Sequence, residues 1–284
     1  KTDITSAVQA KALREKLVDQ KFSITSVKTG ERRKNPQPPF TTSNLQQEAV
    51  RKLSFTTKKT MQIAQMLYEG VDIEGEGTVG LISYIRTDST RLSDEALTAA
   101  RDYISANFAP EYLPETPNIY KGRKNAQDAH EAIRPTHALF SPEKVKASLT
   151  RDQYRLYKLI YDRYLASQMT PAVYDTLAVE LGSGEAQFRF GGMKKKFAGF
   201  TVLYEESQDE PAEKESNLPK VQVGDQVTMK ELDAEQHFTQ PPARYTEASL
   251  VRAMEEKGIG RPSTYAPTIT TILARGYVAR ENKA

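Results

Sequence analysis

Hydrophobic and polar positions follow two different periods along this chain, and the changes of period divide it. Thr5 to Lys21 carries apolar residues at helical spacing, and Phe22 to Lys28 alternates apolar with polar in the manner of a strand. Gly30 to Pro39 is basic and proline-rich and predicts a loop or boundary. The helical period resumes at Ser43, with Ser43 and Gln46 spaced as a capping box, and again from Thr57 to Tyr68, where Gly70 ends it. Val71 to Gly77, rich in glycine and acids, predicts a loop leading into the apolar run Val79 to Ile85, a short strand or extended segment. Ser93 is placed to cap the next helix, which runs to about Phe108 with Asp94 and Glu95 where they complement the helix dipole. Pro110, Pro114 and Pro117 then predict a loop.

The longest helical pattern, Arg151 to Gln168, puts Tyr154, Tyr157, Tyr161 and Tyr164 on one face. Such a stripe is more often packing than a platform for stacked bases, so a core or interdomain role is expected. From Pro171 the period turns to two. Val173 to Leu181, Ala186 to Phe190 and Phe197 to Leu203 read as strands, with Gly182-Ser183-Gly184 and Gly191-Gly192 as turns. Glu205 to Glu215 reads as an acidic loop, Val221 to Glu231 as a further strand pair around Gly224-Asp225, and Gln240-Pro241-Pro242 closes the β-rich segment. In the tail, Thr246 caps a helix to about Lys257, Gly258-Ile259-Gly260 turns, and Pro262 opens a second helix that Gly276 ends, a helix-turn-helix outline. Gly276 to Arg280 starts a strand pattern, and both ends of the chain are expected to be cuts, so a fragment is expected.

The 284 residues suffice for two or three domains, and 38% hydrophobic content supports real cores. No apolar run approaches the roughly 20 residues needed to cross a bilayer. The expected location is cytoplasmic, with no membrane partner. Zero cysteines exclude disulfides and thiolate metal sites, and with only His130, His137 and His237 no metal site is expected. The alternating acids Asp72, Glu74 and Glu76 read as a solvated loop. Net charge is only +3, but residues 1–60 hold 13 Lys and Arg against 5 Asp and Glu. That excess suits a phosphate-facing surface as well as a plain solvated one.

Candidate chemistry centres on residues 80–90, Gly-Leu-Ile-Ser-Tyr-Ile-Arg-Thr-Asp-Ser-Thr. A phenol with a pKa of about 10 is a weak nucleophile unless neighbours hold its target and stabilise moving negative charge. Tyr84 stands beside Arg86, Asp88 and a row of hydroxyls that suit phosphoryl transfer. His130 and Arg134 would share a face if their segment were helical, within reach of one phosphate. His130-Glu131 is not a zinc-protease motif, because Arg134 stands where the second histidine is required. Arg261, Ser263 and Thr264 open the last helix, where free backbone N–H groups favour an anion or ordinary capping.

Residues 80–90 resemble the active-site signature of type IA DNA topoisomerases, bacterial DNA topoisomerase I in particular. So do three further stretches, all in the family's order. They are Gln127-Asp128-Ala129-His130-Glu131-Ala132-Ile133-Arg134-Pro135-Thr136; Arg244 through Thr246-Glu247-Ala248 to Gly260-Arg261-Pro262-Ser263-Thr264-Tyr265-Ala266; and Pro38-Pro39-Phe40-Thr41-Thr42-Ser43 with Leu45-Gln46-Gln47-Glu48-Ala49. The resemblance covers nearly the whole chain.

It implies that Tyr84 attacks a phosphate of single-stranded or negatively supercoiled DNA and forms a 5′-phosphotyrosine ester, resealed without ATP. It implies that Arg86 contacts the scissile phosphate, that Asp88 orients neighbours, and that His130 lies near the DNA backbone. Arg134, Arg261, Ser263 and Thr264 become DNA-binding candidates. The fold implied is α+β and multidomain, the central region of a type IA topoisomerase. Residues 1–36 and 174–236 would form a β-rich arch, 37–173 a mostly helical domain bearing Tyr84, and 237–284 part of a helical tail domain. The family's Mg2+-binding toprim domain and C-terminal DNA-binding domains are absent from these residues, so Mg2+ is expected only in the intact enzyme. Those domains are the expected partners within one polypeptide, in a nucleoid-associated protein.

Overall fold

The computed structural model describes residues 4–120, 130–207 and 215–281. They are mixed α and β, and the chain divides into two compact units. In chain order the elements are α1 Ala7–Leu17, β1 Phe22–Lys34, α2 Thr42–Glu48, α3 Thr57–Glu69, β2 Val71–Ile73, β3 Gly77–Val79, and α4 Asp94–Asn107. They continue with α5 Pro142–Val145, α6 Arg151–Ser167, β4 Ala172–Ser183, β5 Ala186–Phe197, β6 Gln226–Val227, α7 Glu247–Glu256, and α8 Tyr265–Ala274. The helical patterns expected for α1, α3, α4, α6 and α7 are present, as are the caps expected at Ser93 and Thr246; Thr56 and Thr150, not singled out from the sequence, also accept from backbone N–H groups at the starts of α3 and α6.

The first unit comprises Lys1–Lys34, Val173–Phe197 and Ala212–Ala243. Its sheet has the order β5-β4-β1-β6 around a small core of Ile24, Leu177 and Val179. Long-range pairing overrides several local signals here. β1 runs on through the basic stretch to Lys34 instead of yielding to a loop at Gly30. Gly191 and Gly192 do not turn but continue β5 to Phe197, because opposite them Ala178 and Leu177 of β4 extend the antiparallel ladder. The turn lies at Gly184, whose φ is +56°. β6 has only two residues and pairs with β1, Phe22 opposite Val227, so the expected strand pair around Gly224 is not formed.

The second unit comprises Asn35–Ala172, Ala198–Pro211 and Arg244–Ala284. α6 runs through its core with Leu156, Tyr157, Ile160, Tyr161, Tyr164 and Leu165 all buried. Three of the four tyrosines of the stripe are packing, as expected, and Tyr154 is only half-buried with its hydroxyl on Glu143; each buried hydroxyl also has a task. Tyr157 donates to Phe140 O, Tyr161 to Ala138 O and Tyr164 to Ala96 O, each at 2.6 Å. Burial costs such hydroxyls their water, and the carbonyls replace it. Arg163, 1% exposed, donates to Pro38 O at 2.7 Å and lies 5.0 Å from both the Phe40 and Tyr204 rings. Tyr204 in turn donates to the buried Glu48 carboxylate, which also accepts from Ser207 N.

Other expectations shift by a few residues for local reasons. α2 is capped by Thr41, not Ser43; the Thr41 side chain accepts from Asn44 N, leaving Ser43 inside the helix and Gln46 fully buried. α2 passes into a π-turn, Ala49–Leu53, that ends on Ser54 in the left-handed region. Val71 to Val79, which includes the expected loop Val71 to Gly77, forms a hairpin of β2 and β3, made possible by Gly75 and Gly77 at positive φ. Its Asp72, Glu74 and Glu76 are exposed. Phe197 to Leu203 is not a strand: Gly199, at φ +50°, lets Phe200 N reach Thr170 O and the chain enters a 3-10 turn. Gly276–Arg280 forms no strand. Most of the expected acidic loop, residues 208–214, lies outside the described residues. No helix among those described is long and apolar enough to cross a membrane.

Two outcomes test this packing. A Cβ at Gly199 would sit 2.4 Å from Pro171 O, so Gly199→Ala is expected to destabilise by about 2 kcal/mol or more; at Gly184 a Cβ meets nothing within 4 Å, so Gly184→Ala should cost only about 1 kcal/mol. Urea unfolding of the pair checks the order. Burial pushes the Tyr164 phenol up to about 12. Above a pH of about 10 the unfolded chain releases that proton while the folded one keeps it, so stability falls with rising pH, by about 1.4 kcal/mol per pH unit for this group. Tyr164→Phe should flatten the dependence between pH 10 and 12; an unchanged slope contradicts the assignment.

Candidate active site

Gly80 to Arg91 crosses the second unit without helix or ladder, bending at Ile85 and Arg86, and its side chains alternate in burial. Ile85, Thr87 and Ser89 are buried, while Tyr84 and Arg86 are exposed and Asp88 is half-buried. Side chains alternate across an extended backbone, so residues two apart lie on the same side. Burial keeps this alternation through the bend, so Tyr84 and Arg86 form an outward row and Asp88 is half-buried. The row of hydroxyls read as candidate chemistry divides: Thr87 and Ser89 face inward, where Thr87 Oγ1 accepts from Ser89 N at 3.0 Å and Ser89 Oγ from Arg91 N at 3.1 Å. Their work is to satisfy buried backbone donors.

The segment has no regular sheet ladder, and its position comes from two flanking stretches. On one side, Ser83 N donates to Arg134 O at 2.8 Å, Ser83 Oγ donates to Ala132 O at 2.7 Å, and Arg134 N donates back to Ser83 Oγ at 2.9 Å. Thr136 adds a hydroxyl bond to Gly80 O at 2.8 Å, and Ala132 N reaches Arg91 O at 2.8 Å. On the other side, Thr42 Oγ1 donates to Ile85 O at 2.7 Å and accepts from Thr87 N at 2.9 Å, while Thr42 N donates to Thr87 O at 2.9 Å. Phe40 O accepts from Ile133 N at 2.8 Å and joins the two flanks. Gly80 has to be glycine, since a Cβ there would lie 2.7 Å from the Tyr68 carbonyl.

Tyr84 is 39% exposed, its ring set between two others. The Tyr68 ring, at the end of α3, meets it edge-on with centroids 5.7 Å apart, and the His130 imidazole lies 5.2 Å away, tilted by 42°. His130 is thus beside the tyrosine. The condition for His130 and Arg134 to share a helical face is not met: residues 131–136 are not helical, with isolated bridges at Ile133 and Pro135. Extended backbone separates His130 from Arg134. Arg134 binds Glu131 at 2.6 Å and donates to Pro135 O at 2.9 Å, which anchors the strand that holds Ser83. Gln127, Asp128 and Ala129 of that motif lie outside the described residues.

Arg86 forms no ion pair with Asp88 or any other described residue, so its guanidinium stands available on the outward face. Among the described residues no group of three His, Asp or Glu is placed to hold a metal ion. Arg261, Ser263 and Thr264 are exposed, but they form the turn before α8, which starts only at Tyr265, instead of its first turn. Thr264 Oγ1 accepts from Arg261 N at 2.8 Å, and Arg261 Nη1 donates to Gly260 O. No hydrogen bond or ring contact joins them to the Tyr84 row among the described residues.

Sequence reading passed over Thr42, Ser83 and Tyr68. Thr42 lay inside a stretch already singled out, but the capping signal drew attention to Ser43. Nothing in the spacing marks Tyr68, which reaches Tyr84 only because α3 ends where Leu67 O accepts from Leu81 N at 2.7 Å.

The whole chain, residues 1–284, matches the family model described as DNA topoisomerase. It is also similar to the solved structure of full-length topoisomerase I from Thermotoga maritima, with 38% identity and a TM-score of 0.84. The match covers 100% of this chain and 45% of that one, so the chain spans less than half the length of that relative. With the signature row, its histidine and the tail motif found in one chain of this fold, the protein belongs to the bacterial type IA DNA topoisomerase family.

Proposed function

We propose that this chain is the tyrosine-bearing part of a DNA topoisomerase I that cuts and reseals one DNA strand to relax negative supercoils. The carrying observation is the outward row of Tyr84 and Arg86 with the His130 ring 5.2 Å from that of Tyr84. In this reading the Tyr84 oxygen attacks a backbone phosphorus, the phenol proton leaves, and the 3′-oxygen departs and is protonated. A 5′-phosphotyrosine ester remains. Resealing reverses the exchange, and because one phosphate ester replaces another of similar energy no nucleotide is consumed.

Arg86 presents a planar fork of donors to two phosphate oxygens, offsetting the charge that builds as the phenolate and alkoxide exchange. His130 beside the phenol is suited to donate to the phosphate or to pass a proton near neutral pH. Asp88, two residues beyond Arg86 on the same face, orients neighbours by hydrogen bonding. Arg134, Arg261, Ser263 and Thr264 are read as contacts to the DNA backbone; for Arg134 this requires the guanidinium to exchange its bonds to Glu131 and Pro135 O for a phosphate. Mg2+ would be held by a toprim domain outside these residues, and when bound it supplies positive charge to the phosphate.

The domain reading remains a β-rich arch of residues 1–36 and 174–236, a tyrosine domain of 37–173 and a tail of 237–284 that belongs to a further helical domain. The rest of the same polypeptide and single-stranded or negatively supercoiled DNA are the partners, in a cytoplasmic, nucleoid-associated protein. A second reading, that the chain alone is only a single-stranded DNA-binding or gate module, is favoured by its covering 45% of the relative's length.

In the full-length polypeptide, Tyr84→Phe is expected to abolish the covalent adduct with a labelled oligonucleotide while leaving binding at low salt. An adduct in that variant overturns the nucleophile assignment. Arg86→Ala should slow adduct formation about 100-fold or more, and Arg86→Lys should not restore it fully, since an ammonium lacks the planar fork. Plasmid relaxation by the isolated 284-residue chain is expected to be absent or very weak. Robust relaxation would contradict the need for a separate metal-binding domain.

A further inference from the structure

The outward row exists only while Ile85 and Thr87 remain turned inward, and a side chain from another element governs that. Between Ser83 and Arg91, both held by the 132–134 strand, the backbone of residues 85–88 has one external partner among the described residues, and it is Thr42. Three of its polar groups converge there. The hydroxyl donates to Ile85 O at 2.7 Å, accepts from Thr87 N at 2.9 Å, and lies 3.0 Å from Thr87 O, which already takes the Thr42 N–H at 2.9 Å.

The chain position makes this possible. Thr42 is the first helical residue of α2, where the backbone N–H has no partner within its own helix and is free to point away from it. A β-branched side chain is also restricted at χ1, so the hydroxyl has little freedom to leave. The mount is firm on its far side as well. Neighbouring Ser43 donates to Glu255 of α7 at 2.9 Å, and Thr42 itself is fully buried.

We propose that Thr42 is a positioning residue for catalysis: by gripping the peptides on both sides of Arg86 it fixes the offset between the Tyr84 hydroxyl and the Arg86 guanidinium. It touches no DNA. The inference rests on the reading of Tyr84 as nucleophile. Replacing the hydroxyl with a methyl leaves the Ile85 carbonyl and the Thr87 N–H buried without partners, and the segment has to shift to satisfy them. A displacement of about 1 Å between reacting groups can cost on the order of 100-fold in rate.

The test is single-turnover cleavage of a labelled single-stranded oligonucleotide by the full-length polypeptide, with binding measured on the same DNA. Thr42→Val is expected to form the covalent adduct about 10- to 100-fold more slowly, with affinity altered less than about 3-fold. Thr42→Ser, which keeps the hydroxyl, should recover the rate to within about 3-fold. A folded Thr42→Val protein that cleaves at the unmodified rate overturns the proposal, as does a parallel loss of affinity and rate that Thr42→Ser fails to rescue. Should Thr42→Val melt out, Thr42→Cys, with a weak thiol donor of similar size, carries the same expectation of slowed cleavage, and an unmodified rate there also overturns it. Tyr84→Phe in the same assay separates the two claims. If Tyr84→Phe still forms an adduct the nucleophile reading fails, whereas a dead Tyr84→Phe beside a fully active Thr42→Val defeats the positioning role alone.

Discussion

Three stretches, Phe40 with the start of α2 at Thr42, Gly80–Arg91 and Ala132–Thr136, must satisfy their backbone polar groups without a regular sheet, and scattered main-chain bonds joined by side-chain hydroxyls solve the problem. The Thr42, Ser83 and Thr136 hydroxyls each donate to a carbonyl, and those of Thr42 and Ser83 also accept from an N–H, that a regular ladder would otherwise have paired. A buried amide left without a partner is expensive, so these bonds fix the register of the three stretches more firmly than apolar contact does. The rest of the second unit serves that lattice. The hydroxyls of Tyr157 and Tyr161 hold the loop at Ala138 and Phe140 that continues the third stretch, and buried Arg163 holds Pro38 just before the first.

This arrangement separates two kinds of residue in the signature. The inward ones, Thr87 and Ser89, are committed to the backbone; the outward ones, Tyr84 and Arg86, are left without hydrogen-bond partners among the described residues. Under the proposed function, Tyr84 and Arg86 would face DNA phosphate together only if the segment beneath them does not twist or slip, because a slip of one residue would turn both inward. Rigid support and an unoccupied outer face are the two things phosphoryl transfer asks of a protein that does little covalent chemistry beyond the attack itself.

Much of the helical scaffold was legible because its signals are local. Ser93 before Asp94 and Glu95, Gly70 after Tyr68, and Thr246 before α7 each act within one turn of chain. The β-rich unit was less so. Gly191 and Gly192 look like turn residues to any local rule, yet the ladder to Ala178 and Leu177 keeps them extended. The same limit applied at the site: Tyr84 and Arg86 could be named from their motif, and His130 from its own, but the means by which they meet could not. A helix would have put His130 on one face with Arg134, but the segment that follows His130 is not helical, and Thr42 acts across 43 and 45 residues of sequence to Ile85 and Thr87, a distance no periodicity spans.

Amide hydrogen exchange at two positions tests the hydroxyl lattice directly. The N–H groups of Thr87 and Arg134 donate to the Thr42 and Ser83 hydroxyls, not to a helix or sheet. If the lattice holds the tyrosine segment in solution, both amides should exchange as slowly as those in the middle of α6, requiring global unfolding to open. Exchange at the rate of the exposed turn at Gly258 would mean that the segment moves freely, and the account of how Tyr84 and Arg86 are held would be wrong.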